Sequence, residues 1–168
     1  MNMSSLGRIM AASCLWVLCA TPLAHAEPPT GFSNPVTGKP KPSRVLRAFD
    51  KPAKNWLPGH RGVDLAAEVA SPIYAAGPGT VLYAGVLAGV PTISIEHAGG
   101  LRTTYHPVFP LVKPGDQVEG QQKIGTLAPG GTRGYPGLQW GAKFGEDDYI
   151  NPLTLLPTPV IRLKPTPE

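Results

Sequence analysis

An imidazole and a carboxylate stand four positions apart in Gly59-His60-Arg61-Gly62-Val63-Asp64-Leu65. Both groups ligate metals and both hydrogen-bond, so the pair could share a metal ion, or bond to each other or to nearby backbone in a polar pocket. Fully extended, positions four apart lie roughly 13 Å from one another. The chain must therefore fold back between His60 and Asp64, and Pro58-Gly59 and Gly62 give it that freedom while speaking against a helix. Two more imidazoles follow, His97 after an alternating stretch and His106 directly after Tyr105. Glu146, Asp147 and Asp148 add three carboxylates able to ligate a metal, but in a Gly-flanked loop they read first as a solvated turn.

The elements that must position these groups are short. Apolar stretches are punctuated by Gly and Pro every eight to twelve residues, the spacing of an all-β fold, and helix signals are nearly absent. Candidate strands are Arg44 to Phe49, Ile73 to Ala75, Gly79 to Leu87, Pro91 to His97, Arg102 to Val108, Gln122 to Leu127 and Leu138 to Lys143. Turns are marked by Gly77-Pro78-Gly79, Ala98-Gly99-Gly100, Lys113-Pro114-Gly115-Asp116 and Pro129-Gly130-Gly131. Thr92-Ile93-Ser94-Ile95-Glu96 alternates polar and apolar, which predicts one buried and one wet face.

At 168 residues the chain has room for one domain, expected over residues 44–156. Residues 1–26 read as a secretory signal peptide: Arg8 flanks the apolar run Ile9 to Ala20, and Ala24-His25-Ala26 ends in a small-x-small pattern. The run is shorter than the roughly 20 residues that span a bilayer, so no stable membrane span is expected after cleavage. Cys14 and Cys19 both lie in this segment, and the expected mature chain carries no thiol. Residues 27–43 form a Pro-rich leader and residues 157–168 a Pro-rich tail. The formal charge of +4 comes from scattered Lys and Arg rather than a basic stripe with aromatics. With an export signal in front, that sets nucleic-acid binding aside.

The ordered set of motifs resembles the M23, or LytM/lysostaphin-type, zinc endopeptidases. Gly59 to Leu65 looks like the family's His-x-x-x-Asp motif, and Ser71-Pro72-Ile73-Tyr74-Ala75-Ala76 with Gly79-Thr80-Val81 resembles the segment after it. Ile93 to His97, Thr103-Thr104-Tyr105, Val112 to Gln121 and Ile124-Gly125 follow in the family's order. The resemblance implies a small antiparallel β-sheet or β-sandwich domain of the LytM (duplicated hybrid motif) type. It also implies zinc held by the His and Asp of the first motif and by the second His of a His-x-His, leaving an open position for a water. His60 and Asp64 match the first two ligands.

The remaining positions depart from the pattern. Gly137-Leu138-Gln139-Trp140-Gly141 aligns with the His-x-His strand, placing Gly137 at an assisting His and Gln139 at the third ligand. A neutral amide is a poor substitute for imidazole on zinc. The family's Tyr-x-His would put a His at Pro107; His106 comes one residue early, and on a strand that offset turns a side chain to the opposite face unless a bulge re-aims it. His97 resembles a His that recurs near the family's site, and on its own chemistry would be a structural His bonded to a turn. Tyr105 and Trp140 are candidates to line a groove, with core packing as the alternative.

Together these readings describe an exported protein of the periplasm or cell wall. The leading expectation is a non-catalytic LytM-like domain, zinc weak or absent, that binds peptidoglycan or a peptidoglycan hydrolase and regulates wall cleavage. The alternatives are a zinc endopeptidase with a rearranged site, and a structural envelope module.

Overall fold

The structure is a computed structural model that describes residues 31–130 and 137–157. The expected signal peptide, residues 27–30 of the leader and the tail beyond Pro157 lie outside the described residues. Within them the chain forms strands β1 (Val45–Arg47), β2 (Gly62–Leu65), β3 (Pro72–Tyr74), β4 (Gly79–Leu87), β5 (Val90–Glu96) and β6 (Leu101–His106). They are followed by β7 (Val108–Pro110), β8 (Gln117–Val118), β9 (Lys123–Leu127), β10 (Leu138–Phe144) and β11 (Asp148–Ile150). Two single 3₁₀ turns, Ala98–Gly100 and Pro152–Leu155, are the helical elements among the described residues.

The all-β expectation holds, and every strand pairing is antiparallel. The larger sheet runs β1-β2-β10-β6-β5-β4-β8, with β11 also on β10, and the smaller runs β3-β9-β7. Three strands escaped the sequence reading. Gly62–Leu65 and Gln117–Val118 are short and sit inside Gly-rich motifs, and Asp148–Ile150 begins inside the acidic turn. The stretch expected as one strand from Arg102 to Val108 is divided at Pro107, which has no N–H to give a ladder.

Period-two alternation decides which side of the large sheet is core. Ile93 and Ile95 of β5, Leu101 and Tyr105 of β6, Val63 and Leu65 of β2, and Leu138, Trp140 and Ala142 of β10 are buried in one cluster with Ile73, Val108, Ile124 and Leu127 of the small sheet. Gly125 keeps the sheets close: a Cβ there would come within 3.3 Å of Ile93 Cδ1 and 2.5 Å of the Phe109 carbonyl. The opposite face of β5 is not wet as its alternation predicted. Thr92 and Ser94 are only 4% and 2% exposed, because that face is the floor of a cleft rather than open surface.

The described part of the Pro-rich leader does not stand apart from the domain. Phe32, Ser33 and Asn34 are buried, Ser33 N–H donates to the Ala76 carbonyl at 2.7 Å, and Pro35 O accepts from Tyr74 N–H at 2.8 Å. The Phe32 ring meets His97 edge-on, with centroids 4.9 Å apart. Proline density blocks a ladder but not burial of the one large apolar side chain between the prolines.

A directed hydrogen-bond chain crosses the core beneath β6. Ala76 N–H donates to Tyr105 Oη at 3.0 Å, the Tyr105 and Thr103 hydroxyls meet at 2.8 Å, and Thr103 Oγ1 meets His97 Nε2 at 2.7 Å. At the far end His97 Nδ1–H donates to the Pro78 carbonyl at 2.7 Å, so Nε2 is the acceptor and the hydroxyls point toward it. Burial pushes the Tyr105 hydroxyl up to about 12 and holds His97 below its ordinary value, both favouring the neutral forms this chain needs.

Two outcomes follow. Tyr105→Phe deprives Ala76 N–H of its acceptor and Thr103 of a partner, and should cost about 1–3 kcal/mol in urea unfolding. Because His97 is depressed in the folded state, its contribution is complete above the ordinary value of 6.5 and is lost as pH falls from there through the folded value. Urea midpoints should therefore drop on acidification in that window, and less steeply in His97→Gln; His106, depressed as well, keeps part of the slope.

Candidate functional site

His60 is placed by a closed loop. Asp50 and His60 exchange both backbone hydrogen bonds, at 2.9 and 2.8 Å, so residues 51–59 leave and return at one point. The ring is then held by Nδ1–H donating to the Ala48 carbonyl at 2.7 Å, which fixes the tautomer and aims Nε2 inward. There it meets Asp64 Oδ1 at 3.2 Å. The fold-back required between these two positions is thus present, and both side chains are buried.

With Nδ1–H already given to Ala48, the contact between Nε2 and Oδ1 needs a proton between them, whichever atom carries it. Burial holds the Asp64 carboxyl above its ordinary value, against the opposing pull of His60 and of Arg47. Its second oxygen, Oδ2, is buried without a hydrogen-bond partner. Arg47, whose guanidinium also donates to the Gly59 carbonyl at 3.4 Å, stands opposite Asp64 in the β1–β2 register.

Register assembles the rest of the row. Asp64 of β2 pairs with Gln139 of β10, and Gln139 pairs with His106 of β6. Residues directly opposite share a sheet face, so Asp64, Gln139 and His106 lie on one face of the large sheet; Gln139 and His106 line the cleft, and Asp64 is buried beneath its floor. This corrects the expectation for His106, since β6 ends at that residue with its side chain on the Gln139 side. Pro107, read as the degenerate position, lies beyond the strand. His106 is close enough to His60 to feel its charge, and is held below its ordinary value first by burial and then by that imidazole.

The other sequence candidates are elsewhere. Tyr105 and Trp140 alternate with His106 and Gln139 and are fully buried on the core side, as is His97 within its turn; none of the three reaches the cleft. The acidic loop is turned away as well. Asp148 pairs with Lys51 at 2.9 Å on the surface, and the Asp147 and Glu146 carbonyls accept from Asn55 and Lys143. Missed by sequence reasoning were the residues that give the cleft its walls: Arg47, Arg61, Arg102, Lys143 and Tyr149. The face of Arg102 and Lys143 is set by parity on β6 and β10, and Arg47 and Tyr149 reach the cleft through the pairing of β1 with β2 and of β11 with β10, which becomes readable only once the register is known.

Gly137 carries the second departure into the backbone. Its φ is +132°, and a Cβ would sit 2.1 Å from the Leu65 carbonyl oxygen. No L-side chain fits there without moving β2 or the entry to β10.

The donor set supplies two of the three protein ligands of a catalytic zinc site. The unpaired Asp64 Oδ2 and the inward-facing His60 Nε2 suit a cation, but the third position is a carboxamide, and no group of three His, Cys, Asp or Glu among the described residues is disposed to share a metal ion. The residues do not fit the zinc of an active site.

An antiparallel domain, with eleven strands among the described residues and a His-x-x-x-Asp pair at the edge of a cleft, defines a class. The model for peptidase family M23 matches residues 58–152, more than half of the chain, and the chain belongs to that family. The uncharacterized protein Rv2891 of Mycobacterium tuberculosis is 44% identical over 94% of this chain, which spans 65% of that relative's length. The DD-carboxypeptidase/endopeptidase Mpg of Neisseria meningitidis is 29% identical over 60% of this chain and 24% of its own. Among solved structures, Csd3 of Helicobacter pylori superposes with a TM-score of 0.60 at 30% identity, covering 80% of this chain and 37% of Csd3.

Gly137→Ala should lower stability by at least about 2 kcal/mol in urea unfolding, since it adds both a left-handed penalty and a backbone clash. A neutral result would mean that the Leu65 carbonyl yields easily and that the position is not committed to glycine.

Proposed function

We propose that this chain is a non-catalytic M23 domain of the cell envelope that binds peptidoglycan or a peptidoglycan hydrolase and regulates wall cleavage. The observation that carries the reading is Gln139. It stands between Asp64 and His106 in the cleft row, where hydrolysis needs a third metal ligand, and its amide neither holds zinc tightly nor moves a proton. The second assisting position is a glycine whose backbone excludes a side chain. What remains is a cleft of about 520 Å³ over an intact sheet, room enough for part of a peptide.

The relative named a DD-carboxypeptidase/endopeptidase supports a peptide as the ligand. The apolar run Ile9 to Ala20 followed by Ala24-His25-Ala26 supports export, and no helix among the described residues is long and apolar enough to cross a membrane. The Pro-rich flanks serve as connections to the wall or to a partner.

Zinc content and hydrolysis of cross-linked wall peptides, measured on one preparation of the purified chain, test the reading. Wall peptides should bind without being cut, with well under one zinc per chain. Gln139→His should raise zinc affinity at least about tenfold, as a third good ligand completes the set, yet leave hydrolysis absent because Gly137 still lacks its imidazole. Stoichiometric zinc and turnover by the unmodified chain would replace this reading with that of a working endopeptidase.

A further inference from the structure

The cleft is strongly one-signed. Arg47, Arg61, Arg102 and Lys143 line it, and among the described residues no carboxylate does. Asp64 lies beneath the floor, already engaged with His60. Arg61, Arg102 and Lys143 form no ion pair among the described residues, where the ion pairs are Lys51 with Asp148 and His60 with Asp64. Glu96 stands opposite Arg102 in the β5–β6 register but makes no ion pair with it.

These cations are held in place without being neutralised. Arg61 donates to the Leu57 carbonyl at 3.2 Å and lies 5.8 Å from the centre of the Tyr149 ring. Lys143 donates to the Glu146 carbonyl at 2.7 Å and lies 5.5 Å from the same ring. Neutral carbonyls and a π face orient a cation but leave its charge uncompensated. Arg102 is further exposed to demand, for its Nε is buried with no hydrogen-bond partner, a donor that awaits an acceptor. Beside them Thr104 and Ser94, whose hydroxyls meet at 3.0 Å, give the floor polar groups suited to a peptide backbone.

We propose that Arg61 and Lys143, which flank Tyr149, and Arg102, opposite Lys143 in the β6–β10 register, form a carboxylate-recognition subsite that selects acidic peptides with free carboxyl groups. The subsite rests on the reading of the cleft as a peptide groove and names what that groove prefers. Planar guanidinium groups match the two oxygens of a carboxylate. Amidation of the peptide's carboxyl groups removes the selected feature and releases the ligand.

Calorimetric titration of the full chain with the synthetic stem peptide L-Ala-γ-D-Glu-meso-diaminopimelate-D-Ala and with its fully amidated form provides the test. The acid form should bind at least about tenfold more tightly, and the difference should shrink with added salt. Arg102→Gln and Lys143→Gln should each erase most of the acid-over-amide difference, and Lys123→Gln, exposed on the small sheet, should leave both affinities unchanged. Should a variant fail to fold, the salt dependence of the acid-over-amide preference in the unmodified chain still decides. Equal binding of the two peptides would overturn the subsite and leave the peptide groove standing. Binding of neither would overturn the groove itself. Displacement of the acid peptide by an equimolar concentration of phosphate units as polyphosphate would also overturn the proposal, because the cleft would then be reading a phosphate polymer.

Discussion

The placement of strand β10 between β2 and β6 is the constraint on which the site depends. Its register sets Gln139 opposite Asp64 on one side and His106 on the other, and it sends Leu138, Trp140 and Ala142 into the core. A slip by one residue would exchange the two sets, exposing an indole and burying an amide with no partner. The hydrophobic pattern of one seven-residue strand therefore fixes the chemistry of the cleft. Whether position 139 carries an amide or an imidazole, the geometry of its neighbours stays intact, since their orientation is set by what lies on the other face.

Much of the scaffold could be read along the chain because its cues are local. Gly77-Pro78-Gly79 and Lys113-Pro114-Gly115-Asp116 mark turns wherever they occur, and the fold-back between His60 and Asp64 follows from extended-chain geometry. What could not be read was pairing. His106 looked misplaced when judged against Tyr105 alone, because counting along one strand says nothing about which face the neighbouring strand makes the cleft. Tyr105, Trp140 and His97 were candidates for the groove by type, and sheet parity put them on the core side. Phe32 looked like part of a detached leader, and only the hollow over Gly77, whose Cβ would lie 3.0 Å from the Phe32 ring, explains why it is buried.

The two departures at Gly137 and Gln139 differ in kind. A carboxamide at 139 occupies the same sheet position that an imidazole would, so the backbone is indifferent to the exchange. At 137 the chain adopts a conformation that L-residues avoid, tight against the Leu65 carbonyl, so the backbone itself is fitted to glycine. Losing a ligand weakens a metal; committing the backbone to glycine removes the room for its helper. The second change makes the first difficult to undo by a single substitution.

The persistence of His60 and Asp64 in such a site needs no catalytic explanation. His60 ties the Ala48 carbonyl ahead of the loop to Asp64 on β2, and the charge of Arg47, opposite on β1, favours the ionised carboxyl. Removing one member of a buried pair leaves the other desolvated and uncompensated, a loss that commonly exceeds what the pair contributes over an apolar replacement. The imidazole and the carboxyl therefore hold each other in place whether or not a metal joins them, and the edge of the cleft is kept in shape as a consequence. The side chain of Gln139, opposite Asp64 in the same row, is not part of that buried pair.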